Sequence, residues 1–300
     1  MLEIRIDPII FQIGSFVVSW HGLFSVVAVA VAVLLVARWA PRYSLSVDSV
    51  YETAIWVIIG GVLGARVVAI FDDLGYYGSN PLQLVAIWRG GVAIWGGILG
   101  GLVGGVLYAR YAKLPVGRLA DLIAPALFLA MAIGRIGDII NGEHCTELTN
   151  AWWGFVYTHQ NSAARACYNV IPNPSMHPGV VYEMLWDLVV VGILWFGLRD
   201  RIRPEGMLFT AGLALYSFGR FFILFYHGRT PDVILTIAHS YPDYVGDLNE
   251  AQLICLAVLL FAVPLLAMRA RLGRKEIPDF GTPSSPPRPR AERRRRSSGR

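Results

Sequence analysis

Residues 119–143 read LADLIAPALFLAMAIGRIGDIINGE. From 119 to 137 the run is apolar over close to the length that crosses a bilayer as a helix, roughly 20 residues, yet Arg135 lies near its end. A guanidinium held in hydrocarbon costs several kcal/mol unless it faces a cavity or a counter-ion. Two other apolar stretches carry the same anomaly, at Arg66 and at Arg220. A chain that buries three arginines in membrane-length helices needs a polar site, and the expectation is that the three meet there.

Composition agrees with that reading. Hydrophobic residues make up 55% and charged residues 16%, against about 25% charged in soluble domains. Runs near bilayer length fall at about 16–38, 50–71, 92–110, 119–137, 179–198, 206–226 and 251–268. The expected fold is therefore an all-α integral membrane protein with seven transmembrane helices. Residues 1–13 have no basic stretch ahead of the first apolar run and no small-residue cleavage site follows it, so the first helix is expected to act as its own insertion signal.

Lys and Arg are retained on the cytoplasmic side of membranes. Arg38 and Arg42 follow the first helix, Arg110, Lys113 and Arg118 the third, and Arg199, Arg201 and Arg203 the fifth. With the tail, that face holds most of the 26 basic residues. The N-terminus is expected outside and the C-terminus in the cytoplasm. The opposite loops carry Asp72, Asp73, Glu143, Glu147, Asp232, Asp243, Asp247 and Glu250. The net charge of +5 mostly reflects this asymmetry and does not suggest a nucleic-acid partner.

Two units are expected. Residues 1–276 form the membrane domain, and residues 277–300, which contain RPRAERRRR, have almost nothing apolar to bury and read as a disordered basic tail. The tail serves topology and solubility or rests on anionic lipid. Between the fourth and fifth helices, about 141–178, lies a segment too polar to span. Its Trp152, Trp153, Phe155, Tyr157 and Tyr168 suggest a small exterior cap at the interface. In the third helix Gly96, Gly100 and Gly104 form one row and Gly97, Gly101 and Gly105 another, a pattern that lets helix backbones approach closely. Gly60, Gly61 and Gly64 in the second helix read the same way.

Alternating helix directions put Arg66, Arg135, Arg220 and His21 all in the outer half. A polar cavity open to the outer leaflet accounts for that placement. Clustered guanidinium groups suit phosphate or carboxylate, and a lipid head group is the nearest abundant phosphate. The alternative is that each arginine pairs internally with Asp138, Glu143, Glu183 or Asp187.

GRIGDIINGE, from Gly134 to Glu143, resembles the signature segment of prolipoprotein diacylglyceryl transferases. WHG at 20–22 is similar to that family's first-helix motif, GAR at 64–66 to its second and WRGGVAIWGGILGG at 88–101 to its third. HPGVVYE at 177–183 resembles its HPxxxYE, Tyr216 and Arg220 its Tyr and Arg four apart, and Pro231 with Asp232 its following PD. The resemblance spans most of the chain, from Trp20 to about Phe261. It implies transfer of an sn-1,2-diacylglyceryl group from phosphatidylglycerol to the lipobox cysteine thiol of a prolipoprotein signal peptide, with release of glycerol phosphate. This is the first step of bacterial lipoprotein maturation, at the cytoplasmic membrane with the active site facing the outer leaflet. No cofactor is called for. A thiolate attacks a glyceryl carbon, so cationic surroundings that favour thiolate and preorganised donors for the leaving phosphate are what the chemistry needs.

Carried over residue by residue, Arg135 and Arg220 resemble the family's phosphate-binding arginines, and Asn141, Gly142 and Glu143 lie in its signature. Asp138 stands where many members have Asn; it either orients Arg135 or neutralises it. The family's third-helix histidine, its usual candidate base, is Trp95 here, its first-helix tyrosine is His21, and the acidic residue expected four positions after Arg220 is Leu224. His21 either compensates, as base or phosphate donor, or is an interfacial polar residue beside Trp20. Arg135, Arg220, His21 and Glu143 are the expected catalytic residues, with Arg66, Asp138, Asn141, Gly142, Tyr216 and Trp95 binding substrate. These departures motivate an alternative, a catalytically impaired relative that binds anionic phospholipid without transfer. A transporter would carry internal repeats, and none is evident. No metal site is assigned, because no histidine pair has helical ligand spacing with a third ligand nearby; His144, His159, His177, His227 and His239 read as loop residues. Cys145 and Cys167 share one exterior loop and are either disulfide-bonded or two free thiols. Cys255 reads as a packing residue.

Overall fold

A computed structural model describes residues 1–14, 16–85, 93–167, 173–227, 244–245 and 248–273. The tail from 277, Trp88 to Val92 of the third-helix motif, Tyr168, Pro231, Asp232, His239, Asp243 and Asp247 lie outside the described residues. The chain is dominated by helices: α1 (Trp20–Trp39), α2 (Val47–Asp72), the short α3 (Leu74–Ser79), α4 (Ile94–Tyr111), α5 (Val116–Asn141), α6 (Gly179–Gly192), α7 (Met207–Ile223) and α8 (Glu250–Arg269). Among the described residues, six stretches are long and apolar enough to cross a membrane: Trp20–Tyr43, Val47–Asp72, Val116–Asn141, Gly179–Leu198, Met207–Tyr226 and Glu250–Arg269. The fifth expected span is α6 continued by a wider turn over Ile193–Leu198. The third is α4, 18 residues long, whose glycines dilute its hydropathy.

The chain is helical as expected, and short strands occupy the polar ends of the bundle. The first apolar run starts as a strand: β2 (Ile9–Ile13) and β3 (Phe16–Ser19) form a hairpin. Helix α1 begins only at Trp20, where the Ser19 hydroxyl accepts from the Gly22 N–H and satisfies one of the orphan donors of the first turn. β1 (Leu2–Ile4), β4 (Phe155–Tyr157) and β5 (Ser175–Met176) make a three-stranded sheet in which the N-terminal strand runs parallel to β4. A disulfide between Cys145 and Cys167 closes the loop around it, and Tyr157, Ala164, Cys167 and Met176 are its small core. Tyr157 is therefore no part of an exposed aromatic belt. Its hydroxyl donates to the Ile139 carbonyl at 3.0 Å and ties this small sheet to the end of α5.

Helix pairs follow the small residues. α2 lies along α4, α1 along α5, and α5, α6 and α7 pack together with α8 on α7. A Cβ on Gly64 would fall 2.3 Å from the Gly96 carbonyl oxygen and one on Gly100 2.2 Å from that of Gly60, whereas at Gly97 the nearest atom would be 3.7 Å away. The row Gly96, Gly100, Gly104 is thus the interface, and the second row is looser. α7 is set against α5 by buried Asp121, whose carboxylate accepts from the Phe209 N–H in the first turn of α7 at 3.0 Å, where the helix dipole also favours an anion. Phe128, Val190, Leu194 and Leu208 fill the space between these helices. Cys255 is buried in α8, as expected of a packing residue.

Candidate functional site

Gly137 determines where α1 meets α5. A Cβ there would sit 2.6 Å from the His21 Cα, so only a bare backbone lets the start of α1 close onto the last turns of α5. The result is a direct bond between His21 Nδ1 and Asp138 Oδ1 at 2.6 Å. Asp138 and Arg135 are three residues apart and share a face of α5, and Arg135 donates to the second Asp138 oxygen at 3.0 Å. From there the chain of charges crosses to α6. Arg135 is 2.6 Å from one oxygen of Glu183, and Arg220, from α7, donates to the other at 2.6 Å. Four helices are joined in one line, His21–Asp138–Arg135–Glu183–Arg220.

Glu183 is 3% exposed, and removing such an anion from water is tolerable only because two guanidinium groups grip it. The internal pairing weighed for the arginines therefore holds for Arg135 and Arg220, and its partners are Glu183 and Asp138. Arg220 still has donors beyond the one it gives Glu183, since a guanidinium carries five and its Nε and second amino group make no bond among the described residues. Its Cζ lies 5.9 Å from the centre of the Tyr216 ring, and that ring packs against Phe128.

The end of α5 shapes the rest. Gly142 has φ +71° and its N–H and that of Glu143 both turn back to the Asp138 carbonyl, a left-handed helix end that glycine adopts without strain. A Cβ at Gly142 would also lie 2.3 Å from the Ser162 hydroxyl. The turn brings Asn141 and Glu143 side by side, with the Asn141 amide donating to Glu143 at 2.8 Å and Glu143 3.6 Å from His21 Nδ1.

Arg66 corrects the expectation that three arginines meet. It is buried, but its Nε donates to the Leu84 carbonyl at 3.1 Å, one amino group to the Gln83 carbonyl and the other to the Tyr77 hydroxyl at 3.3 Å, with the Tyr77 ring beneath it. The turn at 81–84 folds back over the end of α2 and offers backbone carbonyls to the guanidinium. Trp95 sits in the first turn of α4, 40% exposed.

Three groups beside the site were not expected to act in it, Asp187 having entered only as one of four possible counter-ions and His144 and His227 as loop residues. Asp187 lies one helical turn after Glu183, is 1% exposed, and neither carboxylate oxygen is hydrogen-bonded. His144 and His227 meet edge to face with ring centres 5.6 Å apart. Burial lowers the pKa of His144 and pushes that of His227 down to about 4, so both rings are neutral near pH 7. Glu183 had entered only as the last residue of HPGVVYE and as one of four possible counter-ions. Its helical position four residues before Asp187 was the available signal.

Residues distant in the chain bring together a group that spacing along it does not show. His21, Asp138 and Glu143 offer donor atoms within 4.8 Å of one another, gathered from two places far apart in sequence. His21 and Arg135 already occupy the Asp138 carboxylate, so a cation there would displace both bonds. His177 is held by the Tyr182 hydroxyl at 3.2 Å and His159 faces Asp7 at 3.7 Å, so each serves the loops.

Residues 8–268 match the family described as prolipoprotein diacylglyceryl transferase. A relative from Geobacter sulfurreducens named phosphatidylglycerol–prolipoprotein diacylglyceryl transferase is 31% identical over 273 residues, covering 89% of this chain and 96% of its own. Relatives of the same name from a Nostoc species and from Listeria innocua are each 31% identical over 265 residues. They cover 87% and 88% of this chain and 88% and 90% of their own.

Proposed function

The chain belongs to the prolipoprotein diacylglyceryl transferase family, and from that premise we propose that it is a transferase moving the diacylglyceryl group of phosphatidylglycerol to the lipobox cysteine of a prolipoprotein. The observation that carries this is the meeting of Arg135 and Arg220 at the buried Glu183. Two guanidinium groups fixed by a shared anion are preorganised, and their remaining N–H groups supply donors for a phosphate diester.

The reaction balances without a cofactor. The lipobox thiol gives its proton to a base, the thiolate attacks the glyceryl carbon bearing the phosphate ester, and that C–O bond breaks. Its electrons leave on the phosphate oxygen, releasing glycerol phosphate. Arg220, with Tyr216 beneath it, and Arg135 hold the phosphate while charge grows on the leaving oxygen. His21 is assigned as the base, since Trp95 holds the place of the family's histidine and cannot accept a proton. Glu143 and Asn141, bonded to each other at the Gly142 turn, are assigned to the glyceryl end of the substrate. Arg66 and Trp95, on the α2–α4 pair, are assigned to its acyl side.

In this reading α4 is the seventh span, supported by its place flush against α2. The N-terminus and the disulfide-closed sheet lie outside, the sheet acting as a cap over the site. That disulfide fits an oxidising compartment, and the basic loops fit the cytoplasm. The protein then resides in the bacterial cytoplasmic membrane with its site toward the outer leaflet. Residues 1–276 form the enzyme, and the tail at 277–300 rests on anionic lipid.

The test is transfer of labelled diacylglycerol from phosphatidylglycerol to a lipobox peptide by the purified protein. Arg220→Ala and Arg135→Ala should each lower kcat by on the order of 10²-fold or more, and a peptide with Ser for Cys should accept nothing. Transfer that survives both arginine substitutions would overturn the assignment.

A further inference from the structure

The residues at 21 and 138 both differ from the family's usual Tyr and Asn, and they touch each other. That coincidence would be unexplained if His21 were only an interfacial residue. A histidine that merely sits at a membrane boundary has no need of a partner contributed by another helix through a backbone contact as close as Gly137 against His21.

We propose that Asp138 is a positioning residue that makes His21 a base, the two forming a dyad that stands in for the missing third-helix histidine. The inference rests on the transferase reading above. Asp138 Oδ1 is 2.6 Å from His21 Nδ1, and a carboxylate there accepts the Nδ1 proton. This fixes the tautomer whose Nε2 lone pair is available. Nε2 makes no hydrogen bond among the described residues, and the side chain is 45% exposed, so the substrate thiol can reach it. The proton moves from the lipobox sulfur to Nε2, and the resulting imidazolium faces a carboxylate already in place. The imidazolium then returns that proton to the released phosphate or to water.

The second Asp138 oxygen accepts from Arg135, so the base and the phosphate clamp are braced by one side chain. Rotation of Asp138 away from His21 would break the Arg135 bond as well, which makes the imidazole orientation stiffer than a lone pair would. Gly137 adds a geometric requirement, because any larger residue would push α1 off α5 and separate the dyad.

Asp138→Asn isolates the effect. The Asn oxygen can still accept from Arg135, while its amide then points N–H at His21 and selects the wrong tautomer, a change that lowers kcat by up to about 10⁴-fold where a histidine base depends on a carboxylate. The expected loss here is on the order of 10²-fold or more in kcat, with little change in KM for phosphatidylglycerol. His21→Ala should lose a similar factor and regain part of it with added imidazole. The double variant His21→Ala with Asp138→Asn should be no worse than His21→Ala within about threefold, because residues acting as one unit are not additive. A merely structural Asp138 would instead multiply the two losses. A further variant places the family's residues at all three positions, His21→Tyr, Trp95→His and Asp138→Asn, and should transfer better than Asp138→Asn alone. Parent-like activity of Asp138→Asn, or multiplicative losses, would overturn the dyad while leaving the transferase intact. A parent protein that transfers nothing would defeat the reading beneath it.

Discussion

Glu183→Gln is the sharpest probe of the cluster, because it keeps the shape of the side chain and removes the charge both arginines share. Each guanidinium approaches Glu183 to 2.6 Å. With charge centres about 4 Å apart and an effective dielectric near 20, each attraction is about 4 kcal/mol. Removing both forfeits about twice that, less the several kcal/mol recovered by not burying a carboxylate. Arg135 and Arg220 would then face each other with their common anion gone. Breaking a buried pair from one side typically costs about 3–5 kcal/mol, and that is the expected loss. An added anion should restore part of it, since glycerol phosphate can supply negative charge to the free N–H groups of the two guanidinium groups, and a ligand at 100 times its Kd returns about 2.7 kcal/mol. The assay is thermal unfolding in detergent, parent against variant, with and without glycerol phosphate, followed by the transfer reaction. The variant should be less stable, gain more from glycerol phosphate than the parent does, and transfer on the order of 10²-fold more slowly. A variant as stable as the parent with no added response to the anion would refute the view that Glu183 holds two arginines ready for phosphate.

Other outcomes follow from single features. Asp187 is buried with neither oxygen hydrogen-bonded, so Asp187→Leu, which removes the unpaired polar group at similar volume, should raise stability by about 1–3 kcal/mol without lowering transfer; a destabilised variant would mean that the carboxylate has a partner. Stability should also fall in acid. His227 titrates near 4 when folded and near 6.5 when unfolded, so its contribution is complete above about 6.5 and lost as pH drops toward 4, by up to roughly 3 kcal/mol. His144 shifts in the same direction. His227→Gln should flatten the dependence of the thermal midpoint between pH 7 and 4, and an unchanged slope would reject the cause. Gly100→Ala would place a Cβ 2.2 Å from the Gly60 carbonyl, so α2 and α4 must part; a loss of about 1–3 kcal/mol or more is expected on thermal unfolding, whereas Gly97→Ala should cost far less.

Membrane class was legible in the chain because apolar length is a local property, and six of the seven expected runs hold a helix long and apolar enough to cross a membrane. Arg135 and Arg220 were legible for the same reason, as charges inside apolar runs carry their own anomaly. The glycine rows announced close packing, although which row faces α2 depends on how the two helices are rotated against each other. Strand β3 was missed at the start of the first run because apolar residues suit a strand and a helix alike, and the capping Ser19 marks the change only when its partner is seen.

What sequence alone determined, then, is the set of polar groups that hydrocarbon cannot tolerate unpaired, since that cost is intrinsic to each residue. Their pairing was decided only in three dimensions. Arg66 is satisfied by carbonyls of a turn that folds back over α2, while Glu183 is drawn between two arginines from other helices. His21 finds Asp138 because Gly137 allows α1 and α5 to touch. Such pairings depend on helix crossing and rotation, which are fixed by contacts between residues far apart in the chain.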